Sequence, residues 1–143
     1  MIFADFKDFV AELPPSGRLL GIDWGARRIG IAVSDDARGF VFPREVLPNA
    51  DKIIEIIKSE KIIGIVIGLP LYVDGTDSDT TRQVRDFAAR LATATDLPIA
   101  FVDEQLSSIE AYERHPNARH LLDAHAAVII LEDAIGKIKR TVQ

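Results

Sequence analysis

The apolar positions of this chain change period along its length, and the changes mark out its elements. Phe3, Phe6, Phe9, Val10 and Leu13 fall at helical spacing, so the first thirteen residues predict a short amphipathic helix. "LPPSG" ends it and forms a short linker. "RLLGID" and "RIGIAVSD" predict two strands joined by a tight glycine-containing turn. "FVFPREVL" predicts a third, with Pro43 marking an edge or a bulge. The period then lengthens: Ile53, Ile54, Ile56 and Ile57 in "ADKIIEIIKSE" suit a helix. "KIIGIVIGLP" is β-branched and almost continuously apolar, the pattern of a strand buried on both faces, ending at Gly68. "DTTRQVRDFAARLATAT" places Val84, Phe87, Ala88 and Leu91 on one helical face, and "LPIAFVDE" reads as another buried strand. From Ser107 the pattern is helical, broken near Pro116, and resumes through "ARHLLDAHAAVIILEDAIGKIKR".

The order after the first helix is β-β-β-α-β-α-β-α. An antiparallel meander therefore leads into a crossover-connected parallel half. This implies one α/β domain with a mixed five-stranded sheet and helices on both faces, an order found in the ribonuclease H-like fold. Residues 1–16 are expected to be the N-terminal helix and linker, and residues 17–143 a single domain. The first and last strands are expected near the sheet's centre.

Composition restricts the chemistry. A chain of 143 residues suits one domain that buries most of its apolar surface. With no cysteine there is no disulfide, thiolate metal site or cysteine nucleophile, and a metal would need oxygen or imidazole ligands. No apolar run reaches membrane-spanning length, and the acidic N-terminus lacks a secretory signal's basic flank, so a cytoplasmic location is expected. A net charge of −5 and a pI near 5.1 argue against a generic nucleic-acid binder. They leave room for an enzyme that touches nucleic acid at one local patch.

Three acids stand at the ends of elements. Asp23 ends the first strand and Glu104, beside Asp103, ends the last. Sites in such sheets form outside the carboxyl ends of the parallel strands. Asp123 lies three, four, seven and eleven residues before Ala126, Ala127, Ile130 and Ala134, in phase with the stripe expected to pack on the sheet. An acid on such a stripe is costly unless paired or metal-bound. The alternative is a helix-capping or first-turn acid favoured by the helix dipole, with Asn117 a competing cap upstream. Three carboxylates suit phosphodiester hydrolysis with Mg²⁺ or Mn²⁺, since hard oxygen ligands can hold two divalent ions about 3.5–4 Å apart.

Weaker candidates surround them. Gly25, Arg27 and Arg28 in the first turn, and Thr76, Ser78, Thr80, Thr81, Arg82 and Arg85 around the loop "GLPLYVDGTDSDTTRQ", form a possible phosphate site. Solvated arginines and a helix-capping loop are the plainer readings. His115, His120 and His125 form no convincing metal set, Trp24 reads as core or cleft wall, and Asp35 and Asp36 read as turn residues.

Four stretches, "GIDWGARRIGIAVSD", "IVIGLPLYVDGT", "VDEQLSS" and "LLDAHAAVIIL", resemble the signature blocks of the YqgF family over about residues 17–135. Members are pre-16S ribosomal RNA nucleases distantly similar to RuvC-type Holliday-junction resolvases. The resemblance implies a ribonuclease H-like fold and a metal-dependent nuclease acting on structured RNA or branched DNA. It matches Asp23 to the family's strand-one acid, Glu104 to the acid of its Asp-Glu-Arg block, and Asp123 to the acid before the paired alanines. Three departures stand out: Gln105 replaces an arginine, Tyr72 replaces an asparagine, and the segment from Ser108 to Asp123 is short and poor in lysine. The sequence also admits two other readings: a nucleotide-binding module built on the Asp-x-Gly hairpin, and a non-catalytic protein that kept the fold. Either a monomer or a weak homodimer fits the sequence.

Overall fold

The computed structural model describes residues 1–105 and 119–142, with residues 105 and 119–124 described by their backbone alone. Helix α1 spans Phe6–Glu12, and strands β1 (Arg18–Trp24), β2 (Ile29–Ser34) and β3 (Val41–Leu47) form the meander. A 3-10 turn at Ala50–Lys52 leads into α2 (Ile53–Ser59). Strand β4 (Ile62–Leu71), helix α3 (Asp79–Ala94), strand β5 (Ile99–Gln105) and helix α4 (Arg119–Thr141) complete the order. The sheet runs β3-β2-β1-β4-β5. Its β1–β2 and β2–β3 pairs are antiparallel, and β1–β4 and β4–β5 are parallel. This is the mixed five-stranded sheet that the sequence implies.

Each face of the sheet carries its own core. Leu20, Ile22, Ile65, Ile67 and Ile99 pack with Ile53, Ile56 and Ile57 of α2 and with Val84, Phe87, Ala88 and Leu91 of α3. Leu19, Ala32, Val66, Ala100 and Val102 pack with Phe9 and Val10 of α1 and with Ala127, Ile130, Leu131 and Ala134 of α4. Burying each Ile or Leu contributes about 1.5–3 kcal/mol, so neither face is dispensable. β4 is buried along nearly its whole length, as its unbroken apolar run requires. Helix α4 approaches the sheet closely at Gly21, where an added Cβ would lie 2.8 Å from Leu131 Cβ and 2.9 Å from the Ala127 carbonyl oxygen.

Three expectations need correction. Strand β5 lies at the sheet's edge, separated from the central β1 by β4. It reads as buried because α1 and α4 cover one face and because Ile2 bridges Ile99 along the edge. The first helix begins at Phe6, not at the chain start: Asp5 caps it through Lys7 N–H, while Phe3 N–H donates to the Ile99 carbonyl. β4 continues past Gly68 to Leu71, paired with β5 throughout. Pro43 does sit at the edge, in β3, where the register shifts between Ile31 and Ala32. Asp35 is a turn residue, its carboxylate accepting from the Gly39 and Phe40 amides, which hold its pKa low. The helical stretch expected from Ser107 to the break at Pro116 lies outside the described residues.

Candidate active site

Strand alternation decides which acids share a face. Gly21 faces α4, so Asp23, two residues on, faces it too. Ile22 is in register with Ile67, and Gly68 with Val102. Asp23 therefore borders Gly68 in β4. Glu104 lies two residues beyond Val102 and on the same face. The backbones of β1 and β5 are about 10 Å apart, two strand spacings.

Gly68 closes much of that gap. A Cβ at Gly68 would lie 3.2 Å from Glu104 Oε2 and 2.5 Å from Ile130 Cδ1. The Glu104 carboxylate thus leans back over β4, onto the residue that borders Asp23, with Ile130 of α4 beside it. Burial pushes the Glu104 pKa up to about 7, and the carboxylate of Asp133 on α4 adds to the rise. Asp23 is half-buried, and both it and Arg28 have interaction partners. Asp123 lies in the first turns of α4, one turn before Ala127; its side chain is outside the described ones. Among the described residues no three acids or histidines gather around one point.

The donor chemistry fits a hard divalent cation. Glu104 is a partly buried carboxylate to which a second carboxylate, Asp133, adds like charge. Its ionised form is costly without a positive counter-charge, and oxygen ligands select ions such as Mg²⁺.

Residues 17–137 match the model of a family described as "RuvX: Holliday junction resolvase". The chain belongs to the RuvX family. RuvX is the YqgF family of the sequence resemblance. A relative from Maridesulfovibrio salexigens, named "Putative pre-16S rRNA nuclease", is 46% identical over 133 aligned positions, covering 84% of this chain and 98% of the relative. One of the same name from Ruegeria sp. is 35% identical, covering 97% of each chain. Among solved structures, Thermus thermophilus RuvC superposes with a TM-score of 0.53 at 14% identity, covering 87% of this chain and 97% of that one. The same protein in complex with a Holliday junction superposes equally well, at 12% identity. RuvC thus shares the ribonuclease H-like fold with this RuvX-family chain.

The other candidates of this RuvX protein are spread around the strand ends. Gly25 N–H donates to the Arg28 carbonyl at 2.9 Å, so the tight hairpin turn itself uses that amide. Arg27 is exposed in the same turn. Ser78 and Thr81 form a buried capping box at the start of α3, and the Thr81 hydroxyl also donates to the Pro70 carbonyl. Thr76 gives its amide and hydroxyl to Asp74. Arg82 pairs with Asp79, and Arg85 pairs with Asp77 at 3.2 Å. The second loop is thus largely satisfied by its own side chains. Trp24 faces away from Asp23 and tilts against Phe87, lining a cleft on the opposite side of the sheet.

The sequence signals neither Asp133 nor the part that Gly68 plays beneath Glu104. Asp133 lies three residues after Ile130, so it shares that residue's side of α4. In the sequence Gly68 reads only as the end of a strand, whereas in the fold Glu104 and Ile130 occupy the space above it. Both roles depend on register across the sheet, which the sequence alone does not display.

Proposed function

We propose that this protein is a divalent-metal-dependent nuclease that hydrolyses phosphodiester bonds in structured RNA, in maturation of the 5′ end of precursor 16S ribosomal RNA in the cytoplasm. The observation that carries the reading is the Glu104 carboxylate lying over Gly68, against the strand position of Asp23. Membership of the RuvX family and the names of its relatives supply the substrate class.

Asp23, Glu104 and Asp123 would hold Mg²⁺ or Mn²⁺. When bound, such ions activate water and stabilise the leaving oxygen. The protein's part is positional. Gly68 lets Glu104 reach toward the centre of the sheet. The close packing of α4 on Gly21 fixes the helix that carries Asp123. Arg27 and Arg28, at the tip of the hairpin that follows Asp23, orient the substrate phosphate, since the Gly25 amide is used within the turn. Thr76 and Arg82 lie farther along the chain, and their own hydrogen bonds must open before they meet a phosphate.

The test is cleavage of a precursor 16S fragment and of a four-way DNA junction with Mg²⁺ or Mn²⁺, by the wild type and by Asp23→Asn. Metal-dependent cleavage of the RNA that Asp23→Asn loses supports the reading. Cleavage confined to the junction would favour a resolvase, and equal cleavage by both proteins would remove Asp23 from the chemistry.

A further inference from the structure

Resting on the nuclease reading, we propose that the cleft lined by Trp24 holds one unstacked nucleobase of the substrate strand. The cleft is about 300 Å³ and lies between the β1–β2 hairpin, the entry to α2, and α3. That is the small end of the range for ligand sites. Ile29, Ile54 and Phe87 give it apolar walls, Trp24 gives it an indole, and Asn49 and Arg90 supply the polar groups. Flat apolar walls with a few convergent donors suit a heteroaromatic ring carrying a phosphate.

Each polar group has capacity to spare. The Asn49 carboxamide oxygen accepts from the Asp51 amide at 3.0 Å, which leaves its NH₂ to donate to a base edge. Arg90 is exposed and has no carboxylate partner among the described residues. In this it differs from Arg82 and Arg85 on the same helix, which pair with Asp79 and Asp77. A cation at the rim of an apolar slot is complementary to a nucleotide, whose charge lies at one end of a flat ring.

Position ties the cleft to the reaction. Trp24 directly follows Asp23, and alternation sends the two side chains to opposite faces. Gly25 and Ala26, in the hairpin turn that follows Trp24, also line the cleft. A strand draped over that turn presents a phosphate to Asp23 on one side and a base to Trp24 on the other. Single-stranded recognition of this kind relies on aromatic stacking and tolerates sequence variation.

Trp24 is the chain's single tryptophan, so its fluorescence reports on the cleft alone. The experiment titrates short single-stranded oligoribonucleotides, abasic oligomers of the same length and free nucleoside monophosphates into the protein in EDTA. Base-bearing oligomers are expected to quench Trp24 and to bind about ten-fold more tightly than abasic ones, within the range for one stacked base. Ala94→Phe, which fills the cleft from an exposed lining position, should abolish the difference, and Arg90→Ala should weaken binding of the base-bearing oligomer. Equal binding of abasic and base-bearing oligomers, or an unquenched Trp24, would overturn the proposal. So would monophosphates that match the oligomers, which would mark a free-nucleotide site. Because the readout needs neither metal nor cleavage, its failure is separable from loss of nuclease activity.

Discussion

Replacing Glu104 by Gln isolates the cost of ionising a carboxyl over Gly68. The Glu104 pKa stands at about 7 against an ordinary 4.5, raised first by burial and then by Asp133. In this window the folded state holds a proton that the unfolded chain has released, so stability falls as pH rises from 4.5 toward 7. Below 4.5 both states are protonated and the penalty is absent; above 7 it is present in full. At about 1.4 kcal/mol per unit, a rise of about 2.5 units costs about 3 kcal/mol at pH 8. Glutamine keeps the shape and removes the charge. In urea denaturation with EDTA, Glu104→Gln should match the wild type at pH 4 and exceed it by about 2–3 kcal/mol at pH 8. Asp133→Asn, at an exposed position, should bring part of the same gain by removing the second cause. Added Mg²⁺ should narrow the gap at pH 8 by stabilising the wild type, because a ligand bound only to the folded state raises its stability. A pH-independent difference between Glu104→Gln and wild type would refute the reasoning, since no ionisation cost would then exist at this position.

The two sheet glycines under α4 should separate stability from activity. Gly21→Ala drives a Cβ into the Ala127 backbone and should cost about 1–3 kcal/mol in urea denaturation. Gly68→Ala meets the movable ends of Ile130 and Glu104, so it should lower metal-dependent cleavage by more than it lowers stability. Ser78→Ala removes the cap of α3 and leaves the Thr81 amide without its acceptor; a loss of about 1 kcal/mol by thermal or urea melting is expected. A Ser78→Ala protein with unchanged cleavage per folded molecule would place the second loop outside the phosphate contacts; a selective loss of cleavage would place it inside them.

The fold was legible wherever a face is buried against one kind of partner. β4 lies between β1 and β5 with helices on both faces, and its unbroken apolar run follows directly. The stripe of α3 reads as cleanly, because one side meets the sheet and the other meets solvent. The edge position of β5 was not legible. An edge strand covered by α1 and α4 and bridged by Ile2 buries nearly the same residues as a central one. At the N-terminus, Phe3 and Phe6 stand three apart, as on a helix, but the Asp5 cap forms between them and sends Phe3 to the sheet edge.

The candidate site shows the same boundary between what is local and what is not. Asp23 and Glu104 were legible because each ends an apolar run, and ending a strand is a property of consecutive residues. What lets Glu104 lean toward the strand position of Asp23 is a glycine on a third strand. Gly68 belongs neither to the Asp23 block nor to the Glu104 block, yet a Cβ there would lie 3.2 Å from Glu104 Oε2. The charge cost at Glu104 comes first from burial and then from Asp133, a carboxylate of α4 that reaches it only through tertiary packing. A carboxylate held at such a cost is favoured in its ionised form when a cation lies beside it. The divalent-ion role proposed for Glu104 rests on this, and so does the pH dependence expected of the metal-free protein.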